Sequence, residues 1–185
     1  MFEEDVAAAT AVFFLRANHG VLNDLQLMKL LYLAEREGIK RYGAPVIGAQ
    51  YWSMPHGPVL SEVYDMMRGE KINPLWYGHI EYVPFDGQTS NHCKLRKDTL
   101  NPEDYLSEAE LSLLEEIWTT YKDQTKWNLV DLTHTFPEWD KNVEAPDSPV
   151  RATRLPVMDM LVKGFEMSKE EAMLTAQSIE YYQAF

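Results

Sequence analysis

Five histidines, one cysteine and a scatter of serines are the side chains of this 185-residue chain best suited to chemistry. Zinc is held by histidines and thiolates at fixed spacings, above all by two histidines four apart on a helix. No two histidines here stand four apart, and the closest group, His79 with His92 and Cys93, would have to meet across a hairpin. A single cysteine closes no intramolecular disulfide and no cysteine-based zinc site, so Cys93 reads as a core or surface thiol. Ser53, Ser61, Ser107 and Ser112 lie in no G-x-S-x-G elbow, and the nine glycines form neither a Walker nor a dinucleotide loop. No catalytic residue, metal ligand or cofactor site is therefore assigned.

Two stretches still place polar chemistry at breaks in apolar runs. In "YWSMPHGPVLSEVYDMM", Tyr51 to Met67, His56 precedes a Gly57-Pro58 corner. Gly57 stands before a proline and must avoid the α region, and without a Cβ it can make a sharp reversal. In "KWNLVDLTHTFPEWDK", Lys126 to Lys141, Leu129, Leu132 and Thr133 can face inward on a short helix. His134 falls at its end and Trp139 beyond the break at Pro137. The structural reading has His134 satisfying helix C-terminal carbonyls and Trp139 plugging the core.

The elements that position these stretches follow from periodicity. Val6, Ala9, Val12, Phe13 and Phe14 recur at helical spacing, and Asn18, His19 and Gly20 supply a stop. Asn23 caps the next helix, with Gln26 as capping-box partner, and "LQLMKLLYLAE" is apolar on nearly every face, which predicts a buried central helix. Lys29 in that run is expected to snorkel or to pair with an acid. Val46 to Met54 reads as extended, and Pro58 is expected to open a helix that ends at Gly69. "HIEYV" and "HCKLRK" flank the turn-rich "PFDGQTSN" as a hairpin. Ser107 with Glu110 caps a helix striped by Leu111, Leu114, Ile117, Trp118 and Tyr121. Val143 to Pro149 reads as a loop or lid, Pro156 reopens a helix, and Ser168 with Glu171 caps the last one. The expected fold is mainly α: one compact helical domain over residues 1–185 around a buried central helix, with a small β-hairpin or short antiparallel sheet. It carries a loop at 143–149 and a helical extension at 150–185.

Composition narrows the partners. With 45% hydrophobic residues the chain can fill a core, while 17 basic against 29 acidic residues leave a net charge of −12 that repels phosphate backbones. Direct nucleic-acid binding is not expected, and a basic protein surface would be steered toward this one. No apolar run approaches a membrane span and the N-terminus opens on acids, so the expectation is a cytoplasmic protein with no membrane partner. Five Trp, 10 Tyr and 9 Met supply the side chains that anchor protein interfaces.

The run from Leu25 to Tyr64, followed much later by "LVDLTHTFPEW", resembles the Panacea domain of the SocA-like antitoxins and the phage-associated GepA-like proteins. The motif falls on Lys29, Leu30, Leu31 and Tyr32, on Gly57, Pro58 and Val59, and on Thr133, His134, Pro137 and Trp139. The resemblance implies a non-enzymatic, mostly helical antitoxin that neutralises a toxin encoded beside it by direct contact. The toxins of such proteins differ widely, alarmone-synthetase-like enzymes among them. A protease, in an adaptor branch, and a second copy of the chain are the further partners it leaves open. Under this reading the leucines are core, and His56, Tyr64, His134 and Trp139 form a toxin-binding surface if the corner before Pro58 and the Pro137 break lie side by side. The competing reading is a hydrolase or transferase using His56 and His134 with Asp131 or Glu138, which requires those groups within hydrogen-bonding reach in a concave pocket.

Overall fold

A computed structural model describes residues 2–71, 73–84, 86, 91–97, 100–144 and 150–184. Residues 145–149, most of the expected loop at 143–149, lie outside them, as does much of the turn between the hairpin strands. Helix α1 (Glu4–Ala17) is followed by β1 (Val21–Asn23) and α2 (Asp24–Tyr42). The chain then forms β2 (Tyr51–Met54), β3 (Gly57–Leu60), α3 (Ser61–Arg68), α4 (Pro74–His79), β4 (Ile80–Val83) and β5 (His92–Leu95). Helices α5 (Glu108–Tyr121) and α6 (Lys126–His134), strand β6 (Thr153–Arg154), the single turn α7 (Val157–Asp159) and helix α8 (Lys169–Ala184) complete it.

Helix α2 is the buried axis that its all-round apolar pattern predicts. Leu27, Leu30, Leu31, Tyr32 and Ala34 are fully buried, and so are Lys29 and Glu35. Asn23 caps it by accepting from the backbone N–H groups of Leu25 and Gln26, while the Gln26 side-chain amide donates to the Gln124 carbonyl 3.1 Å away. Helix α1 packs against it with Ala7, Ala8, Ala9 and Ala11 fully buried, and these small side chains let two backbones approach closely. The stop at α1 is a Schellman turn: His19 takes φ of +57° and Gly20 N–H donates to Leu15 O at 2.7 Å.

Among the described residues two three-stranded antiparallel sheets flank the helices, ordered β1-β5-β4 and β3-β2-β6. The expected hairpin is β4-β5, with Ile80 opposite Leu95 and Val83 opposite His92; β1 extends it to a sheet. The corner differs from expectation. Pro58 lies in strand β3, opposite Ser53, and the helix begins only at Ser61. Strand β3 is a sheet edge, and the Pro58 carbonyl accepts from the Lys29 amine, so the missing N–H of Pro58 deprives no ladder partner.

After residue 150 the chain returns to the domain. Thr153 and Arg154 pair with Ser53 and Trp52, and Leu155 N–H donates to Tyr51 O. A π-helical turn over Met160–Gly164 follows α7, and the Ser168–Glu171 capping box opens α8, which buries Ala172, Ala176 and Ile179. Among the described residues no helix is long and apolar enough to cross a membrane.

Candidate functional site

The motif residues converge on the tip of the β2-β3 hairpin. Gly57 turns at φ of +91°, and a Cβ placed on it would sit 2.6 Å from Thr133 Oγ1 and 2.9 Å from Lys29 Nζ. Residues far apart in sequence, on α2, the hairpin and α6, thus meet in the space that a missing methyl leaves. Lys29 Nζ donates to Pro58 O at 2.8 Å. It neither snorkels nor meets a carboxylate among the described residues, contrary to expectation; burial pushes its pKa down to about 7. Thr133 Oγ1 donates to Val130 O within α6.

Further along α2 sits a second buried polar set that sequence reading did not assign. Arg36 Nε donates to Glu138 Oε1 at 2.7 Å, Tyr32 Oη donates to the same oxygen at 3.4 Å, and the Glu138 side chain is fully buried. The guanidinium lies 4.1 Å from the centroid of Phe136 and 4.8 Å from that of Phe165. Glu35 accepts from the N–H groups of Ile47, Gly48 and Ala49 and from Tyr51 Oη, which fixes the approach to β2. Its burial raises its pKa against the opposing pull of those hydrogen bonds. The legible signal was the charged pair Glu35-Arg36 inside a helix predicted to be buried, since such charges require partners.

The corner and the Pro137 break do lie together. Trp139 Nε1 donates to Met54 O at 3.1 Å, and Asp140 N–H donates to Ser53 Oγ. His134 stacks on Trp139 with centroids 3.7 Å apart and planes 6° from parallel. Its Nε2 is buried without a hydrogen-bond partner among the described residues, and its Nδ1 is 3.9 Å from Glu144 Oε1. Burial foremost lowers the His134 pKa. It therefore caps no carbonyl through Nε2, and Trp139 is half-buried rather than a core plug.

The four residues expected on one surface divide between two cavities. His56 and Tyr64 line one of about 550 Å³, where His56 meets the ring of Trp127 edge-on at 5.5 Å. His134 and Trp139 line a more polar one of about 640 Å³. Glu138, one acid of the hydrolase reading, is held by Arg36 and Tyr32. Among the described residues no group of three or more His, Cys, Asp or Glu side chains is placed to hold a metal ion. His79 and His92 stand at opposite ends of the β4-β5 ladder, and buried Cys93 has its pKa pushed up to about 12.

What the geometry defines is a helical scaffold in which Lys29 and Trp139 bond the backbone of the β2-β3 hairpin and Gly57 packs against Lys29 and Thr133. Residues 27–140, more than half of the chain, match the family described as antitoxin SocA-like, Panacea domain, and the chain belongs to that family. Comparison with curated proteins and with solved structures gave no match.

Proposed function

We propose that the chain neutralises a toxin encoded beside it by direct protein contact, covering the toxin's active site or a basic channel with an acidic, aromatic surface. The observation that carries this reading is the family match across residues 27–140. The placement of the motif supports it: Lys29, Gly57 and Thr133 meet at the hairpin tip and Trp139 donates to the Met54 carbonyl, so these motif residues maintain a shape. The net charge of −12 favours a basic partner surface and gives association an electrostatic component, and the cytoplasm is the compartment proposed for it.

Co-expression with the product of the adjacent gene tests this. Growth rescue together with co-purification is the expected result, and a folded chain that neither rescues nor binds would end the proposal. Toxin abundance during rescue separates two routes: a steady level marks occlusion, and its disappearance marks delivery to a protease. Substrate turnover by the purified chain that is lost on replacing His56 or His134 would favour the hydrolase or transferase reading instead.

A further inference from the structure

The cavity beside the hairpin tip is walled in large part by methionine and aromatic side chains. Met28, Met54 and Met67 line it together with Tyr64, Tyr82 and Trp127. Its volume of about 550 Å³ can enclose one or two large side chains. Thioether side chains repack around differently shaped anchors, and Trp127, 52% exposed on the first turn of α6, stands ready to close over one.

The charges at its edge run against those of the whole molecule. Two cations, Lys126 and Arg68, and one carboxylate, Asp24, line it, in a chain whose net charge is −12. Asp24 Oδ1 accepts from the Leu25 N–H at the start of α2. Arg68 lies over the Tyr64 ring and reaches Glu70 at 3.3 Å. Lys126 has no carboxylate within ion-pair distance among the described residues, and its ammonium sits 5.4 Å from the Trp127 ring centroid. An apolar pocket edged by an ammonium that no described carboxylate pairs with complements an apolar side chain with a carboxylate beside it.

We infer that this cavity is the anchor site for the partner polypeptide, taking an aromatic or long aliphatic side chain whose neighbouring carboxylate pairs with Lys126. This rests on the antitoxin reading for the partner's identity and adds the place and chemistry of contact. His56, exposed and edge-on to Trp127, then forms part of the rim, and His134 and Trp139, which open elsewhere, lie outside it.

The test uses the full chain, labelled with 13C at its methionine methyl groups and titrated with the purified product of the adjacent gene. The expected result is that the Met28, Met54 and Met67 signals shift and those of Met158 and Met173 stay. Lys126→Glu and Trp127→Ala each weaken binding about tenfold or more. Glutamate in the first turn of α6 suits the helix N-terminus, so a loss in Lys126→Glu does not reflect unfolding. Leu174→Asp, 70% exposed on α8 and outside the lining, binds as the parent does. Binding and rescue that persist in both cavity variants, with the three signals unmoved, overturn the inference and leave the antitoxin reading standing. No binding and no rescue by the parent chain overturn both. Signals that shift on dilution alone, or a small molecule carried through purification and seen by native mass spectrometry, assign the cavity to a second copy or to a free ligand and overturn it as well.

Discussion

Burying the Lys29 amine, whose hydrogen bond goes to the Pro58 carbonyl, disfavours its charged form, and its pKa falls from 10.5 to about 7. The unfolded chain keeps that proton up to its ordinary value, so between about pH 7 and 10.5 it binds more protons than the folded chain. Stability from this group therefore rises with pH through that window and is lowest below it. Lys29→Met, which keeps the apolar stem and removes the charge, is expected to flatten the rise, as urea melts at pH 6, 8 and 10 will read. Gly57→Ala faces both a positive φ and an occupied space, and is expected to cost about 2–3 kcal/mol. Thr133→Ala recovers part of that cost in the double variant, since it removes the nearest atom; a strictly additive cycle would contradict the packing described. Glu138→Gln leaves Arg36 without its counter-charge between two rings and is expected to cost about 3 kcal/mol in the same melts.

Caps and stops were the legible part of the elements, because they are written within four residues of chain. The Ser107–Glu110 and Ser168–Glu171 boxes and the Asn18-His19-Gly20 stop all stand where local chemistry places them. Strand partners were not legible in the same way. Pro58 looks like a helix opener until β3 is known to be an edge whose carbonyl faces Lys29, and that fact belongs to the tertiary structure. Strands β1 and β6, of 3 and 2 residues, are too short to show alternation. The meeting of the His56 corner with the Pro137 break was anticipated from polar interruptions, whereas Lys126 and Trp127 escaped notice because an exposed helix start carries no periodic signal. Ser168→Ala is expected to cost about 1 kcal/mol and to speed amide exchange across residues 169–172 selectively, while Ser107→Ala does the same at the start of α5.

For the whole molecule, the proposed binding divides between charge, which would set approach, and the pocket, which would set grip. A net −12 predicts that association with a basic partner slows as salt rises from 50 to 500 mM, while dissociation changes less. Stopped-flow measurement of both rates checks this, and an association rate indifferent to salt would remove electrostatic steering from the account. The family match ends at residue 140, but residues beyond it still pack on the matched region. Phe165 forms one side of the ring sandwich around Arg36, the Gly164 carbonyl accepts from that guanidinium at 3.4 Å, and β6 covers the open side of β2. A gene fragment cut at the family boundary would thus encode a body with its central rivet wetted and one sheet margin bare, a surface inviting fibres. Whoever grafts this domain onto another protein must bring the returning tail with it, or supply another clasp in its place.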